Sequence, residues 1–328
     1  MVKTICITDL MKAVGINNSG QIQVTEYMSE LEPNPKDDWL FYSLQALKAV
    51  SEQKRQTLRN AAFIGSGNGI ETIVAIHIFP ELREIYVTDI LPGILPQIAD
   101  NIRNNLQERL RGKNITFYAG RDCNSLEGKV DLIYANLPLV TIDSNEINSP
   151  LATTTLTDAS AYKGLACGTD DPLRKYSLLS QLGFLLSAKE KLKEDGTIIT
   201  MIGGRIPYYV IEECFDKAGL KCRKIITGFK RQSDPQFLEQ YAALEAKEGI
   251  TFDFYDYGKA ARIIKKETGF DAPGEIKGYD DQQLKKILAP ARLNAKQAFE
   301  YYNRGKDVGH IAYGFVAHKP RAGNHAAA

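Results

Sequence analysis

The segment NAAFIGSGNGIETIVAI, from Asn60 to Ile76, joins an apolar run, a loop with glycine at every second position and a second apolar stretch. The first run predicts a buried strand and the last predicts a helix. Gly65, Gly67 and Gly69 allow positive φ and a close approach of the backbone to a ligand. A strand that enters such a turn before a helix directs N–H groups into the crevice at the carboxyl end of a parallel sheet. The segment therefore predicts an α/β fold with a ligand crevice.

Strand-like and helix-like segments continue to alternate after this loop, from EIYVTDI through ITFYAG, KVDLIYANLP and TIITMIGG to KCRKIITGF, and HIAYGFVAHK reads as a last strand. The pattern predicts a Rossmann-like, seven-stranded, mostly parallel sheet with helices on both faces, in which strands six and seven could pair as a hairpin. We expect a helical N-terminal segment and a helical cap or lid inserted before the last strand. The predicted boundaries are residues 1–55 for the N-terminal segment, 56–232 for the core, 233–306 for the insertion, 307–320 for the last strand and 321–328 for a disordered tail.

The composition excludes some classes of function. The 41 basic and 40 acidic side chains of this 328-residue chain nearly cancel, so there is no strong signal for nucleic-acid binding. No apolar run approaches twenty residues and no signal peptide is expected. The five cysteines are scattered and never spaced as CxxC, which favours free thiols in a reducing cytosol over a disulfide framework or a zinc site. We therefore expect a cytoplasmic protein without a membrane span or a metal site.

The residues at the ends of the first four strands bear on what the glycine loop holds. The dinucleotide fingerprint GxGxxG is incomplete because Ile70 occupies the position of its third glycine, and no GK[ST] follows. Asp89 ends the second strand, where an acid can accept hydrogen bonds from ribose hydroxyls. Asp122 follows the third strand, where it could accept from an adenine amine, and Asn136 follows the fourth. These strand ends share one edge of a parallel sheet, so the groups could converge.

This succession of motifs resembles the class I S-adenosylmethionine-dependent methyltransferases. Asn136-Leu137-Pro138-Leu139 stands where the release-factor glutamine and N6-adenine types of amino-methyltransferase carry Asn-Pro-Pro-Tyr. The stretch CGTDDPLRKY is similar to the GGxDGLxxY stretch of the glutamine methyltransferases. The resemblance covers roughly residues 55 to 232 and the last strand, and it implies S-adenosylmethionine as the cofactor.

The resemblance also implies roles for individual residues. The implied cofactor-binding residues are Gly65, Ser66, Gly67, Asn68, Gly69, Asp89, Ile90, Asp122 and Asn136. The implied catalytic residues, beside which an in-line methyl transfer takes place, are Asn136 and Pro138. The expected substrate-binding residues are Leu137, Leu139, Tyr162 and Arg205.

Two departures from the family pattern affect the expected substrate. Phe63 stands where the family usually has an acid that helps to order the loop and the methionine end of the cofactor. Leu137 and Leu139 cannot stack on a planar NH2 group as the aromatic residue of the family motif does. We therefore expect a small-molecule acceptor, with nitrogen, oxygen or sulfur left open as the methylated atom.

Several alternatives stay open at this point. A nicotinamide-dependent oxidoreductase has the same architecture, but Ile70 argues against it. An aminopropyl or aminocarboxypropyl transferase, a protein or nucleic-acid amino-methyltransferase, and a noncatalytic cofactor-binding module would share most of the motifs, and a homodimer is equally open. The polar loop Asn145–Asp171 could close over the substrate, or Asp171 could simply cap the helix that begins near Pro172.

Overall fold

The computed structural model describes residues 2–28, 30–53, 57–138, 140–142, 156–233 and 235–320. The N-terminal segment contains strand β1 (Lys3–Cys6), helix α1 (Thr8–Ala13), strand β2 (Gln21–Val24) and helix α2 (Trp39–Gln53). Besides the two helices, this segment contains the antiparallel pair of β1 and β2, which the sequence analysis did not predict. Ile22 and Val24 alternate with exposed glutamines along β2, which is the two-residue period of a half-buried strand.

The core follows as alternating strands and helices. Its first half contains β3 (Asn60–Ile64), α3 (Ile70–Ile78), β4 (Glu84–Asp89), α4 (Leu95–Leu106), β5 (Asn114–Ala119) and β6 (Val130–Ala135). Two short strands pair in parallel with each other, β7 (Val140–Ile142) and β8 (Leu156–Asp158). The second half contains α5 (Pro172–Lys175), α6 (Leu179–Lys191), β9 (Leu192–Gly203), α7 (Tyr208–Lys217) and β10 (Lys221–Arg231).

The segment before the last strand is mostly helical, as the sequence predicts, and it also contains three short strands. It consists of α8 (Leu238–Glu248), β11 (Phe254–Asp256), α9 (Tyr257–Thr268), β12 (Gly274–Glu275), α10 (Asp281–Leu288), β13 (Arg292–Leu293) and α11 (Ala295–Asn303). The chain then returns through β14 (Val308–His318). Because β11 pairs with β14 and β12 pairs with β10, the insertion is joined to the edge of the main sheet.

The main sheet has the predicted Rossmann-like arrangement. Its seven long strands lie in the order β10-β14-β9-β6-β3-β4-β5. Neighbouring strands from β9 to β5 are parallel, and β14 runs antiparallel to both β10 and β9. Strands six and seven of the prediction, β10 and β14, are therefore paired antiparallel with the insertion between them. The parallel strands place four successive turns at one edge of the sheet.

Apolar side chains cover both faces of this sheet. Along β3, Ala61 and Phe63 belong to a core that also contains residues of α2, α3 and α4. Ala62 and Ile64 point to the opposite face, where residues of α6 and α7 pack. This alternation explains the continuous apolar run of the sequence, because a parallel strand covered on both faces has no solvent side. The prediction of helices on both faces is confirmed.

Three further findings concern only the part of the chain given above. No helix there is both long enough and apolar enough to cross a membrane. Among the same residues, no group of three or more His, Cys, Asp or Glu side chains could hold a metal ion. All five cysteines are free thiols. The predicted tail, residues 321–328, and Leu139 lie outside the described residues.

Candidate ligand-binding cavity

A cavity of about 730 Å³ lies at the carboxyl ends of the parallel strands. Its wall includes the turns after β3, β4, β5 and β6, and its volume is in the range of small-molecule sites. The residues of the sequence prediction that line it are Gly65, Ser66, Gly67, Asn68, Asp89, Ile90, Asp122, Asn136, Leu137, Pro138 and Tyr162. The four strand ends therefore form one site, as the topology of a parallel sheet requires.

The glycine loop is held by a backbone hydrogen bond to β4 and leaves room on the cavity side. The φ angles of Gly65, Gly67 and Gly69 are 65°, 52° and 85°, all in the left-handed region that favours glycine. The amide of Ser66 donates to the Thr88 carbonyl at 2.9 Å. A Cβ at Gly67 would meet no heavy atom within 4 Å, so a ligand can approach its backbone closely. Gly69 does not line the cavity; it precedes α3 and packs against Ile98 of α4.

Asp89 connects the glycine loop with the turn after β4. Its Oδ2 accepts from the amide of Gly67 and its Oδ1 accepts from the amide of Leu91, each at 3.0 Å. Burial raises the pKa of this carboxyl, and the two backbone hydrogen bonds oppose the shift. Each carboxylate oxygen has a second lone-pair direction, so Asp89 can still accept from two ligand hydroxyls.

Asp122 is held in an unusual backbone conformation after β5. Its φ of 55° lies in the left-handed region, which costs a residue with a side chain on the order of 1–3 kcal/mol and is most common at functional sites. Burial raises the pKa of its carboxyl to about 6, although a hydrogen bond from Tyr162 lowers it. The guanidinium of Arg121 lies 5.4 Å from the centre of the Tyr162 ring. Tyr162 thus reaches the cavity as the sequence predicts, and its described partner there is an acid of the protein.

The turn after β6 also lines the cavity. Leu137 packs so close to the glycine loop that a Cβ at Gly65 would lie 2.8 Å from its Cδ2 atom. The carbonyl of Pro138 accepts from the hydroxyl of Thr157 at 3.4 Å, which connects this turn with β8. Asn136, the residue at the centre of the predicted acceptor site, is partly exposed in the cavity wall.

Arg205 is placed differently from the sequence prediction. It is buried under the insertion rather than in the cavity wall, and its guanidinium lies over the rings of Tyr241 and Phe254 at 5.1 and 5.9 Å. It donates to Gln232 at 2.9 Å. Arg205 therefore does not line the described wall of this cavity, and its described contacts are with residues of the insertion and with Gln232.

The carboxylates of the loop before α5 differ in position: one lines the cavity, one caps a helix and one lies at the surface. Asp158 lines the cavity, where it accepts from the amide of Ser160 at 2.8 Å. Asp171 accepts from the amide of Leu173 at 2.9 Å and pairs with Lys217, so it caps α5. Asp170 forms an exposed pair with Lys175. Residues 145–155 of this loop lie outside the described part of the chain.

Sequence reasoning missed the part of the cavity that the N-terminal segment provides. The residues before and at the start of α2 that line the cavity are Tyr27, Met28, Glu30, Leu31, Glu32, Pro33, Asp38, Trp39 and Leu40. Ser180 of α6 and Ser233 after β10 also line it. The only local signal was the acid-rich, aperiodic character of the stretch before α2, which does not indicate what the stretch packs against.

Glu71 is a second cavity residue that the sequence analysis did not identify. Burial raises the pKa of its carboxyl to about 7. The hydroxyl of Tyr134 donates to its Oε1 at 2.9 Å and lies 2.7 Å from the hydroxyl oxygen of Ser43. Phe63, which replaces the acid of the family pattern, packs against the same Tyr134 ring at 6.1 Å. The carboxylate on this side of the glycine loop therefore comes from α3 and not from β3.

The described wall of the cavity is acidic. Its carboxylates are Glu30, Glu32, Asp38, Glu71, Asp89, Asp122 and Asp158, whereas its basic residues are Lys3 and Arg121. Lys3 pairs with Glu30 at 2.5 Å, so it offsets one of the carboxylates. A concave site with an excess of one sign of charge concentrates ligands of the opposite sign. The wall therefore favours a ligand that carries positive charge.

This sequence matches no protein-family model and no curated protein. Among solved structures, it is similar to the ribosomal protein L11 methylase from Lactobacillus delbrueckii subsp. bulgaricus, with 16% identity over 60% of this chain and 77% of that chain and a TM-score of 0.36. It is similar to the precorrin-6y C5,15-methyltransferase from Geobacter metallireducens GS-15, with 11% identity over 85% of each chain and a TM-score of 0.37. An O-methyltransferase family protein from Burkholderia thailandensis shares 15% identity over 58% of this chain and 54% of that chain, with a TM-score of 0.36.

Proposed function

We propose that this protein is an S-adenosylmethionine-dependent methyltransferase that acts on a small molecule. The observation that carries the proposal is the convergence of the glycine loop, Asp89, Asp122 and Asn136 in one cavity with an acidic wall. A glycine turn and a carboxylate after the next strand suit a nucleoside, and the acidic wall suits a ligand with a positively charged sulfur.

The residues present fit this cofactor. Asp89 has lone pairs available for the two ribose hydroxyls, and Asp122 can accept from the adenine amine, most strongly when its carboxyl is ionised. The open space at Gly67 admits a ligand against the backbone of the loop. Glu71 also lines this wall and forms no ion pair with the described residues, so its carboxyl can pair with the ammonium group of the cofactor.

The residues of this chain contribute to methyl transfer mainly by positioning the acceptor and the cofactor. When bound, the cofactor supplies an electrophilic methyl group. Asn136 can orient the acceptor atom by a hydrogen bond, and holding the two reactants in line accounts for much of the acceleration in such a transfer. Trp39, Leu40 and Leu137 form apolar parts of the wall that exclude water from the acceptor.

The shape of the wall supports a small-molecule acceptor. The N-terminal segment lines one side of the cavity with Tyr27, Leu31 and Trp39, which confines the space beside the glycine loop. Leu137 stands where the family motif places a proline, and the cavity side of that turn is aliphatic. The near balance of basic and acidic residues gives no broad surface for a nucleic acid.

Titration calorimetry with S-adenosylhomocysteine and with NAD tests the cofactor. We expect S-adenosylhomocysteine to bind at one site and NAD not to bind. Binding of NAD alone would overturn the proposal.

A labelling experiment tests the reaction. The protein is incubated with a cell extract and S-adenosylmethionine that carries a labelled methyl group. Label in a low-molecular-weight product supports the proposal, whereas label in protein or nucleic acid supports an amino-methyltransferase of macromolecules. A parallel incubation uses cofactor labelled in the carbons of its amino-acid part. Label transferred in this incubation, and not in the methyl-labelled one, would indicate an aminopropyl or aminocarboxypropyl transferase.

A further inference from the structure

A buried lysine lies directly behind the cavity wall at the end of β10. The Nζ atom of Lys230 is 2.7 Å from the hydroxyl oxygen of Ser233 and 2.6 Å from the carbonyl oxygen of Arg231. It also lies 5.7 Å from the ring centre of Trp39. Ser233 and Trp39 line the cavity, but Lys230 does not, and its side chain is fully buried. Among the described residues, the hydrogen bond to Ser233 connects Lys230 to the cavity.

Burial makes the ammonium group of Lys230 easier to deprotonate than that of an exposed lysine. Burial lowers the pKa of its ammonium group to about 8; the nearby Arg205 adds to this effect, and Asp38, Glu32 and Asp37 oppose it. His310 is the cross-strand neighbour of Lys230, and neither of its ring nitrogens has a hydrogen-bond partner among the described residues. Burial lowers the pKa of His310 well below its usual value, so this ring is neutral.

We propose that Lys230, acting through the hydroxyl of Ser233, takes the proton from a phenolic hydroxyl of the acceptor, so that this cavity methylates oxygen. The inference rests on the proposed methyltransferase function and adds to it the class of acceptor. A hydroxyl acceptor needs a base during the transfer, whereas an amine needs only to be unprotonated beforehand. A phenol has a pKa of about 10, roughly two units above that of Lys230, so the proton transfer is accessible, whereas an ordinary alcohol is far too weak an acid.

The proton and charge balance of the step is complete. The acceptor O–H proton passes to Ser233 Oγ, and the proton of Ser233 passes to the neutral amine of Lys230. The acceptor oxygen forms its bond to the methyl carbon as the bond between that carbon and the sulfur breaks. The sulfonium loses its positive charge and Lys230 gains one, so the net charge of the site does not change.

Ser180 gives independent support for a polar ligand in this cavity. Its side chain is only 2% exposed, it lines the cavity, and its hydroxyl has no hydrogen-bond partner among the described residues. A buried hydroxyl without a partner costs roughly 1–3 kcal/mol. A ligand oxygen or nitrogen that meets this hydroxyl would remove that cost.

The test uses 4-nitrophenol as the probe, because its ionised form absorbs visible light and its neutral form does not. The full-length protein is saturated with S-adenosylhomocysteine and titrated with the probe at a pH at which the free probe is mostly neutral. We expect the bound probe to be ionised in the wild type and neutral in Lys230→Met and Ser233→Ala. Ser233→Thr keeps the hydroxyl and should restore the ionisation. A bound probe that stays neutral, or no bound probe at all, in the wild type would overturn the inference.

Lys224→Met is the matched control. Lys224 lies on the same strand and over aromatic rings, at 4.7 Å from Tyr313 and 5.3 Å from Tyr208, but outside the cavity. This variant should ionise the probe as the wild type does. Equal loss in Lys224→Met and Lys230→Met would mean that the effect is structural, and the inference would fall.

A pH profile completes the test. Methyl transfer to unsubstituted phenol, which stays protonated in solution through pH 8, should rise with pH through a midpoint near 8 in the wild type and fall by about 10²–10⁴-fold in Lys230→Met, with that midpoint lost. Calorimetry with S-adenosylhomocysteine on every variant separates the two proposals. Cofactor binding without Lys230-dependent ionisation contradicts only the inference, whereas no cofactor binding in the wild type contradicts the proposed function.

Discussion

The hydroxyl of Tyr162 lies 3.1 Å from one carboxylate oxygen of Asp122 and 3.2 Å from the other. The two residues are 40 positions apart in the chain, and both line the cavity. This hydrogen bond joins the 3-10 helix Ala159–Leu165 to the turn after β5. We propose that the same carboxylate accepts a hydrogen bond from the adenine amine. The position of this 3-10 helix should therefore affect the affinity for the cofactor.

Tyr162→Phe should make cofactor binding more sensitive to acid. The pKa of Asp122 is about 6, raised by burial and held down in part by Tyr162, so removing the hydroxyl should raise it further. Affinity for S-adenosylhomocysteine should fall as pH decreases through this pKa, since an ionised carboxylate accepts a stronger hydrogen bond from the ligand amine than a neutral carboxyl does. Calorimetry between pH 5 and 8 should place the midpoint higher in Tyr162→Phe. Tyr279→Phe, which removes an exposed hydrogen bond to Glu267, should leave the midpoint unchanged.

Asp89→Ala should weaken binding of S-adenosylhomocysteine by about ten- to a hundredfold, because hydrogen bonds to a charged group contribute roughly 1.5–3 kcal/mol. Asp131→Ala is a close control. Its Oδ2 accepts from two backbone amides, those of Arg59 and Asn60, both at 2.9 Å, at the opposite end of the sheet. Both variants should lose thermal stability, but only Asp89→Ala should lose affinity in calorimetry. Unchanged binding by Asp89→Ala would contradict the ribose contact.

Gly67→Ala should separate loop strain from ligand contact. Gly67 and Gly112 both have positive φ, at 52° and 71°, and an added Cβ would meet no heavy atom within 4 Å at either position. Both alanine variants should therefore destabilise the fold by a similar amount, on the order of 1–2 kcal/mol. Only Gly67→Ala should weaken binding of S-adenosylhomocysteine, because its methyl group projects where the ligand approaches. If the two variants bind S-adenosylhomocysteine with equal affinity, the ligand does not contact the loop at Gly67.

Glu71→Gln should change the pH dependence of stability. The folded-state pKa of Glu71 is raised from 4.5 to about 7, so the stability that its protonated form provides is complete below pH 4.5 and is lost as pH rises through 7. The wild type should therefore lose stability over this window, whereas Glu71→Gln should not. The free energy of unfolding of the variant minus that of the wild type should be about 3 kcal/mol larger at pH 8 than below pH 4.5. Urea denaturation at pH 5 and pH 8 measures the difference. An equal difference at both pH values would show that Glu71 does not carry a buried charge.

The strand-end residues of the cavity could be predicted because they depend on local pattern and topology. An apolar run, a glycine turn and an amphipathic segment determine each βα unit, and parallel strands must end at one edge. Asp89, Asp122 and Asn136 follow from this reasoning without any knowledge of packing, and the structure places all three in the cavity wall. The arrangement of β10 and β14 as an antiparallel pair follows from the same pattern.

Other parts of the cavity depend on contacts between residues far apart in the chain. Trp39 and Lys230 are in contact although 191 positions separate them (230 − 39). Arg205 packs against the aromatic rings of Tyr241 and Phe254 in the insertion. The sequence alone determined the sheet, the order of its turns and the residues at their ends, because these follow from short-range periodicity. Only the tertiary structure decided which segment covers the cavity and which buried charges face it, because burial and desolvation are properties of what packs around a residue and not of its neighbours in sequence.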